Sequence, residues 1–421
     1  NLSVFVPRTE FGNRREDTPR DKNGVWEKFL LRFIPGRRME AHFQITDPDL
    51  AKQLLIKENL PKNLSSYTAL EQLIGKGLVS LQTGSEWRHR RRLLTPLFFF
   101  NTLARMVPLM NDVSERCLKK LAEKIDKNGG KYELVPREES TVITQNMIIA
   151  LIFGGEFDQE WFGESYGNLL KTFRSYMLSK FALGPFAGLL PYARKFECTR
   201  SQIRDKLKEF IEKRKVQVDN NELSDDSADL VALMLKDNGD GRLSDDTILA
   251  ESLTFFFAGY DTTANLFSWI LYYLSRYPDI QEKCRMEIES VVGDANTITK
   301  DNITKMEYVK AFIKETLRMS PPVTIIPRKT TKPMNIAGHS IPANTPISVS
   351  FYAMLRHQLH WDKPNTFKPE RFMNGSSSEK QSKFCFAPFS AGVRNCIGQK
   401  LAMMEISILV ATFLRKFKIV K

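Results

Sequence analysis

Between Thr254 and Leu274 the chain is mostly apolar and aromatic, with Asp261, Asn265 and several hydroxyls inside the run and Glu251 and Arg276 at its flanks. Its length matches the ~20 residues that cross a bilayer. An acid at mid-span is costly in lipid, however. The run is therefore expected as the buried core helix of a folded domain, spanning about 244–276 and stopped at Pro278. A helix apolar on most of its faces has to be covered by other elements. That sets the frame for the rest of the chain.

The periodicity around it is mostly helical. Residues 31–57 read as short strands and then a helix opened by Asp47-Pro48-Asp49. Residues 86–127 read as two helices broken near Pro96, and Lys127–Lys131 as a turn. Helices are expected over about 136–153 and 160–183. A connection over 184–192 leads to a charged amphipathic helix over 199–218. Asp219–Asp240 reads as exposed loop and short helix, its charges a solvated face. Further helices are expected at 279–291 and 305–319, the second ending at Pro321-Pro322. Short strands fill 322–352, residues 353–395 are irregular, and a last helix covers about 397–416. No repeat is present, and the only low-complexity block is Ser376–Ser378. The fold class is mainly α with a minor β region, in one domain over 1–421.

Composition narrows the function. The formal net charge is +13, but the Lys and Arg are spread along the chain and match no nucleic-acid-binding signature, so no nucleic acid is expected. An anionic membrane surface or an acidic protein partner fits better. The five cysteines are odd in number and widely spaced, with no CxxC, so reduced thiols on a cytosolic face are expected rather than disulfides or zinc. His89, His339, His357 and His360 show no ligand spacing and read as surface or structural. Residues 1–25 are polar and charged, with neither an initiator Met nor a targeting segment.

The most specific constellation precedes the last helix: Phe389-Ser-Ala-Gly392-Val-Arg394-Asn-Cys396-Ile-Gly398. A cysteine at a helix start has a stabilised thiolate. Gly392 and Gly398 permit tight turns. Arg394 offers a fixed cation to a carboxylate, and Phe389 can shield the sulfur from water. A lone Cys here would be structural; ten residues in this order describe a tuned metal ligand. The long helix carries a second constellation, Ala258-Gly259-Tyr260-Asp261-Thr262-Thr263, in which an acid beside an alcohol forms a short proton relay. Read alone, it is equally a polar kink with a buried acid.

Both constellations resemble cytochromes P450. The first matches the haem-binding loop Phe-x-x-Gly-x-Arg-x-Cys-x-Gly, and Pro388–Ala402 looks like its eukaryotic microsomal form. The second is similar to Ala-Gly-x-(Asp/Glu)-Thr-Thr. Glu315-x-x-Arg318 and Pro369-Glu-Arg371-Phe resemble the family's scaffold motifs, and Trp87-x-x-x-Arg91 its propionate-binding helix. The resemblance runs from about Phe43 to the end.

It implies a triangular-prism helical fold with haem between the long central helix and the Cys-loop helix. Cys396 would be the axial iron ligand. Trp87, Arg91, Ala258, Gly259, Arg328, Phe389, Arg394 and Gly398 would bind the cofactor, and Asp261 and Thr262 would deliver protons to bound dioxygen. Glu315, Arg318 and Arg371 would form a buried network. A Glu that bonds haem covalently in one branch is replaced here by Ala258, so non-covalent haem b is implied. The implied reaction inserts one oxygen atom of dioxygen into a small hydrophobic substrate, with electrons from NADPH by way of NADPH-cytochrome P450 reductase and, as a second donor, cytochrome b5. Exposed Arg88, Arg90, Arg92 and Lys400 would dock that flavoprotein. Phe255, Phe256, Ala258, Thr262 and Val323–Ile326 would face the substrate. The microsomal form sits on the cytosolic face of the endoplasmic reticulum membrane, its anchor expected outside this chain, as is the strand unit that follows the last helix. A haem-thiolate isomerase or peroxygenase, needing no reductase, and a haem carrier without turnover are the competing readings. Thr262 and the basic residues count against the former. The latter has no use for Asp261 and Thr262.

Overall fold

A computed structural model describes residues 2–5, 25–26, 43–223, 229–236, 243–373 and 383–420. Ser376–Ser378 lies outside the described residues, as do parts of the 31–57 and Asp219–Asp240 stretches. The chain divides into two compact units. The first comprises Asn1–Leu64, Leu118–Ser140 and Thr262–Lys421; the second comprises Ser65–Cys117 and Thr141–Asp261.

The first unit holds the strands. Phe43–Ile45 pairs parallel with Pro346–Ser350, which pairs antiparallel with Ile325–Lys329. Val25–Trp26 adds the outer strand. Asp47 then caps the helix Pro48–Lys52 by accepting from the amides of Asp49 and Leu50, and a π-helical turn Gln53–Lys57 continues it. Ile45, Leu54, Leu55, Ile347, Val349, Phe351 and Trp361 bury the sheet's inner face. A separate parallel sheet joins Leu2–Phe5 to Lys131–Glu133 and to Phe417–Val420, a strand directly after the last helix. That helix, Gln399–Lys416, is buried from Met404 to Leu414.

The second unit is helical: Ser85–Leu94, Gln159–Leu183, Pro191–Asp219 and the larger part of Pro136–Phe153. Its core is aromatic. Phe256 of the long helix Asp245–Arg276 sits edge-on to Phe162 and Tyr166, at 4.8 and 4.6 Å between ring centres.

Several expectations change. Helix Pro191–Asp219 starts well before residue 199, because Pro191 opens it at the position where a missing N–H costs nothing. The Pro96 break is present, as the 3₁₀ turn Thr95–Phe98. Asp229 is not solvated. It is buried, caps the helix Leu230–Leu235 and pairs with buried Arg214 at 3.0 Å. Burial raises its pKa to about 6 against the opposing pull of Arg214. Among the described residues no helix is long and apolar enough to cross a membrane.

Candidate functional site

Cys396 is held by a tight backbone loop. Its amide donates to the Phe389 carbonyl at 2.9 Å, and inside that loop the Asn395 amide donates to the Gly392 carbonyl at 3.1 Å. Gly392 adopts φ +74° and Ser390 φ +63°. At Gly392 glycine is required twice, since a Cβ would also overlap the Leu55 carbonyl oxygen of the π-helical turn. Gly398 departs from the expected reason. As N-cap of the last helix it has an ordinary φ of −84°, and its missing Cβ leaves room 3.9 Å from the Cys396 sulfur. Cys396 thus precedes the helix cap by two residues instead of lying in the first turn. Its side chain is exposed, and all five cysteines are thiols.

Three cations of the first unit converge near this loop. Arg328, on strand Ile325–Lys329, is 4% exposed, and Arg394 ends the 3₁₀ turn Gly392–Arg394. Lys62 is the third, and no motif marked it. Its backbone bridges that of Arg328, and burial with repulsion from Arg394 and then Arg328 lowers its pKa to about 7. Phe389 is half-buried in the same loop.

The scaffold network is complete. Glu315 takes two bonds from Arg318, at 2.8 and 2.9 Å, one from Arg371 at 3.3 Å and one from the Lys368 amide at 2.8 Å. Arg318 also donates to the carbonyls of Leu355 and Pro364, and Arg371 to those of Lys363 and Thr366. Glu315 and Arg318 are fully buried. The pair thereby ties helix Glu307–Met319 to the irregular segment 355–371. A charge so buried and so fully bonded is a scaffold element, and removing one partner costs about 3–5 kcal/mol.

The long helix is α-helical throughout, so the polar constellation does not break it. Ala258, Gly259, Asp261, Thr262, Asn265 and Trp269 form its half-buried stripe. Gly259 is there for close packing: a Cβ would lie 2.8 Å from two carbons of Ile148. Thr144, which sequence reasoning missed, donates to the Tyr260 carbonyl at 3.1 Å, between Gly259 and Asp261. Phe256 is fully buried in the aromatic core, and Phe255 is buried against Phe98. Val323 and Ile325, by contrast, are exposed.

Trp87 and Arg91 stand one turn apart on helix Ser85–Leu94, Trp87 buried and Arg91 half-buried. They belong to the second unit with Ala258, Gly259 and Asp261; Thr262, Arg328, Arg394 and Cys396 belong to the first. Arg90 corrects the reading of this helix as a solvated basic face. It pairs with Glu86 at 2.5 Å and reaches the fully buried Glu251 at 3.4 Å. Glu251 also accepts from the Leu78 amide at 3.0 Å, and its burial outweighs these bonds and raises its pKa to about 7. Arg88, His89, Arg92 and Lys400 are exposed. Among the described residues no cluster of His, Cys, Asp and Glu is placed to hold a metal ion.

The family described as Cytochrome P450 matches residues 33–421. Human cytochrome P450 4Z1 is 33% identical over 392 residues, covering 90% of this chain and 76% of that protein. Rat cytochrome P450 4A12 is 34% identical over 399 residues with the same coverage, and human cytochrome P450 4B1 is 31% identical over 389 residues, covering 89% and 75%. The crystal structure of the cytochrome P450DA heme domain aligns with a TM-score of 0.76 at 20% identity, over 93% of this chain and 82% of that one.

Proposed function

The chain belongs to the cytochrome P450 family and is a haem-thiolate monooxygenase acting on hydrophobic substrates, and from that premise we propose that Cys396 supplies the thiolate. The observation that carries this reading is the Phe389–Cys396 loop, which fixes an exposed sulfur on a backbone hydrogen bond.

The residues present fit a haem. A thiol faces outward from a rigid loop, and in the same unit Lys62, Arg328 and Arg394 gather positive charge suited to a carboxylate edge. Trp87 and Arg91 offer an indole N–H and a guanidinium from one helix face. Bound haem supplies the oxygen activation, and haem b held without a covalent bond suits Ala258, which has no group to form one. The Cys396 thiolate would give the iron an anionic ligand, which the loop's backbone would tune, with Phe389 placed in the same loop to limit water. Asp261 and Thr262 lie on the half-buried stripe of an otherwise buried helix. There an acid can hold a proton and the neighbouring hydroxyl pass it on. Ala258 on that stripe offers apolar surface to the substrate.

The whole chain acts as one catalytic domain, a reading supported by the family match over nearly its full length. Electrons come from NADPH through NADPH-cytochrome P450 reductase, with cytochrome b5 as a second donor. Exposed Arg88, Arg92 and Lys400 favour an acidic partner. The site of action is the cytosolic face of the endoplasmic reticulum membrane.

The test is the absorption spectrum of the reduced, carbon-monoxide-bound protein. A strongly red-shifted Soret band, lost in Cys396→Ser, is expected. A band at the neutral-thiol or histidine position in the wild type would refute the assignment.

A further inference from the structure

We propose that Tyr166 is a positioning residue for Asp261: its buried hydroxyl donates, through one enclosed water, to the Asp261 carboxylate and fixes which way that acid faces. The inference rests on the haem-thiolate reading, in which Asp261 carries protons, and adds to it a residue outside every motif.

The aromatic core of the second unit is built largely of phenylalanine. Phe153 and Phe157 each meet Phe162 and Phe210, at 5.1 to 5.6 Å between ring centres. Tyr166 stands one turn beyond Phe162 on helix Gln159–Leu183 and is fully buried. Its ring stacks on Phe162 at 6.0 Å and lies edge-on to Phe256 at 4.6 Å and to Tyr260 at 6.1 Å. A ring that only filled this space would be another phenylalanine, because a buried hydroxyl with nothing to bond is costly. Yet the Tyr166 hydroxyl finds no hydrogen-bond partner among the described residues. Thr144, which approaches the same turn of the long helix, gives its hydroxyl to the Tyr260 carbonyl at 3.1 Å.

The packing aims Tyr166 at the turn that carries Asp261. Phe256 and Tyr260 share one face of the long helix, their rings stacked at 5.0 Å, and Tyr166 lies across both. Asp261 follows directly and is close enough for its charge to act on the phenol. Desolvation first, then Tyr260 and Asp261, push the Tyr166 pKa well above its ordinary value of 10. The phenol therefore stays protonated and is a standing donor with a carboxylate in range. The surroundings of the two groups differ: Asp261 lies on the half-buried stripe of its helix, whereas Tyr166 is closed off in the core. A water held between them satisfies the orphaned donor and ties one carboxylate oxygen inward. The other oxygen is then left to take up and hand on a proton. All of these residues belong to one compact unit.

Holoenzyme is prepared as wild type, Tyr166→Phe, Asp261→Ala and the double variant. Tyr166→Phe keeps the ring and removes only the hydroxyl. Infrared difference spectra identify the Asp261 carboxyl band by its loss in Asp261→Ala, and that band should be shifted in Tyr166→Phe. With reductase and NADPH, the ratio of peroxide to water formed from dioxygen should rise about fivefold in Tyr166→Phe, as loss of one hydrogen bond implies. In the Asp261→Ala background Tyr166→Phe should add nothing further. An unmoved carboxyl band would overturn the inference. So would an equal rise in both backgrounds, or a rise accompanied by a lowered unfolding midpoint and no infrared shift, either of which would make Tyr166 a packing residue. A wild type without the red-shifted carbon-monoxide band would instead overturn the underlying haem-thiolate reading, and the inference with it.

Discussion

Glu405 sits in the last helix, fully buried, and its Oε1 finds no hydrogen-bond partner among the described residues. Desolvation alone drives its pKa up to about 8. In the unfolded chain the same acid ionises near 4.5. The folded protein therefore binds one more proton than the unfolded chain between these two values. Stability on this account is highest below the unfolded value and falls as the pH rises towards 8, by at most about 1.4 kcal/mol per pH unit. Glu405→Gln keeps the shape and removes the proton. Denaturant unfolding at pH 5, 6, 7 and 8 should show the wild type losing stability with pH faster than Glu405→Gln. Parallel pH profiles would mean that the carboxyl is ionised in the fold. No sequence pattern signals this acid, because its burial comes from the packing around the helix and not from its neighbours along the chain.

At the scale of elements, the Cys396 loop and the π-helical turn Gln53–Lys57 form one unit of construction. Gly392 is where they touch: its φ of +74° disfavours any side chain, and a Cβ would run into the backbone oxygen of Leu55. The obstacle is backbone, which cannot swing aside. Gly392→Ala should lower stability by about 2–4 kcal/mol. It should also shift part of the reduced carbon-monoxide spectrum from the thiolate to the neutral-thiol position. A variant with wild-type stability and spectrum would mean that the loop relaxes freely. The glycine was legible in the sequence, and so was the turn; the contact with Leu55 was not, since it joins residues far apart in the chain. The same division holds elsewhere. Helices 136–153, 160–183 and 244–276 follow from periodicity and prolines and match closely. Glu315, Arg318 and Arg371 were expected as a network only through the resemblance, since the spacing of Glu315 and Arg318 by itself describes an ordinary surface pair. Lys62, Thr144 and the burial of Phe256 were not expected, for each depends on which segment lies opposite. Asp229 misled for the same reason: it sits in an acidic, polar stretch but faces Arg214 of a different helix.

At the scale of the whole molecule, the net charge of +13 sets up a field that would favour the acidic partner proposed above, but not every cation is available for docking. Helix Ser85–Leu94 separates the two roles within one turn. Arg88 and Arg92 are exposed, and their charges are screened over the ~10 Å Debye length of 0.1 M salt. Arg90 points inward to Glu251, whose carboxyl is fully buried and also holds the Leu78 amide. The two kinds of substitution should therefore read out in different experiments. Arg88→Glu and Arg92→Glu should leave the unfolding midpoint within about 0.5 kcal/mol of wild type. They should slow reduction by the flavoprotein at low ionic strength and flatten its salt dependence. Arg90→Gln should do the reverse. It removes one charge from a buried acid, so stability should fall by about 1–3 kcal/mol while the salt dependence of reduction keeps its slope. The loss should be larger at pH 8 than at pH 6, because Glu251, with a pKa of about 7, is mostly neutral at the lower value and needs the guanidinium least there. If Arg90→Gln instead flattened the salt dependence at unchanged stability, Arg90 would belong to the docking face and its pairing with Glu251 would be incidental.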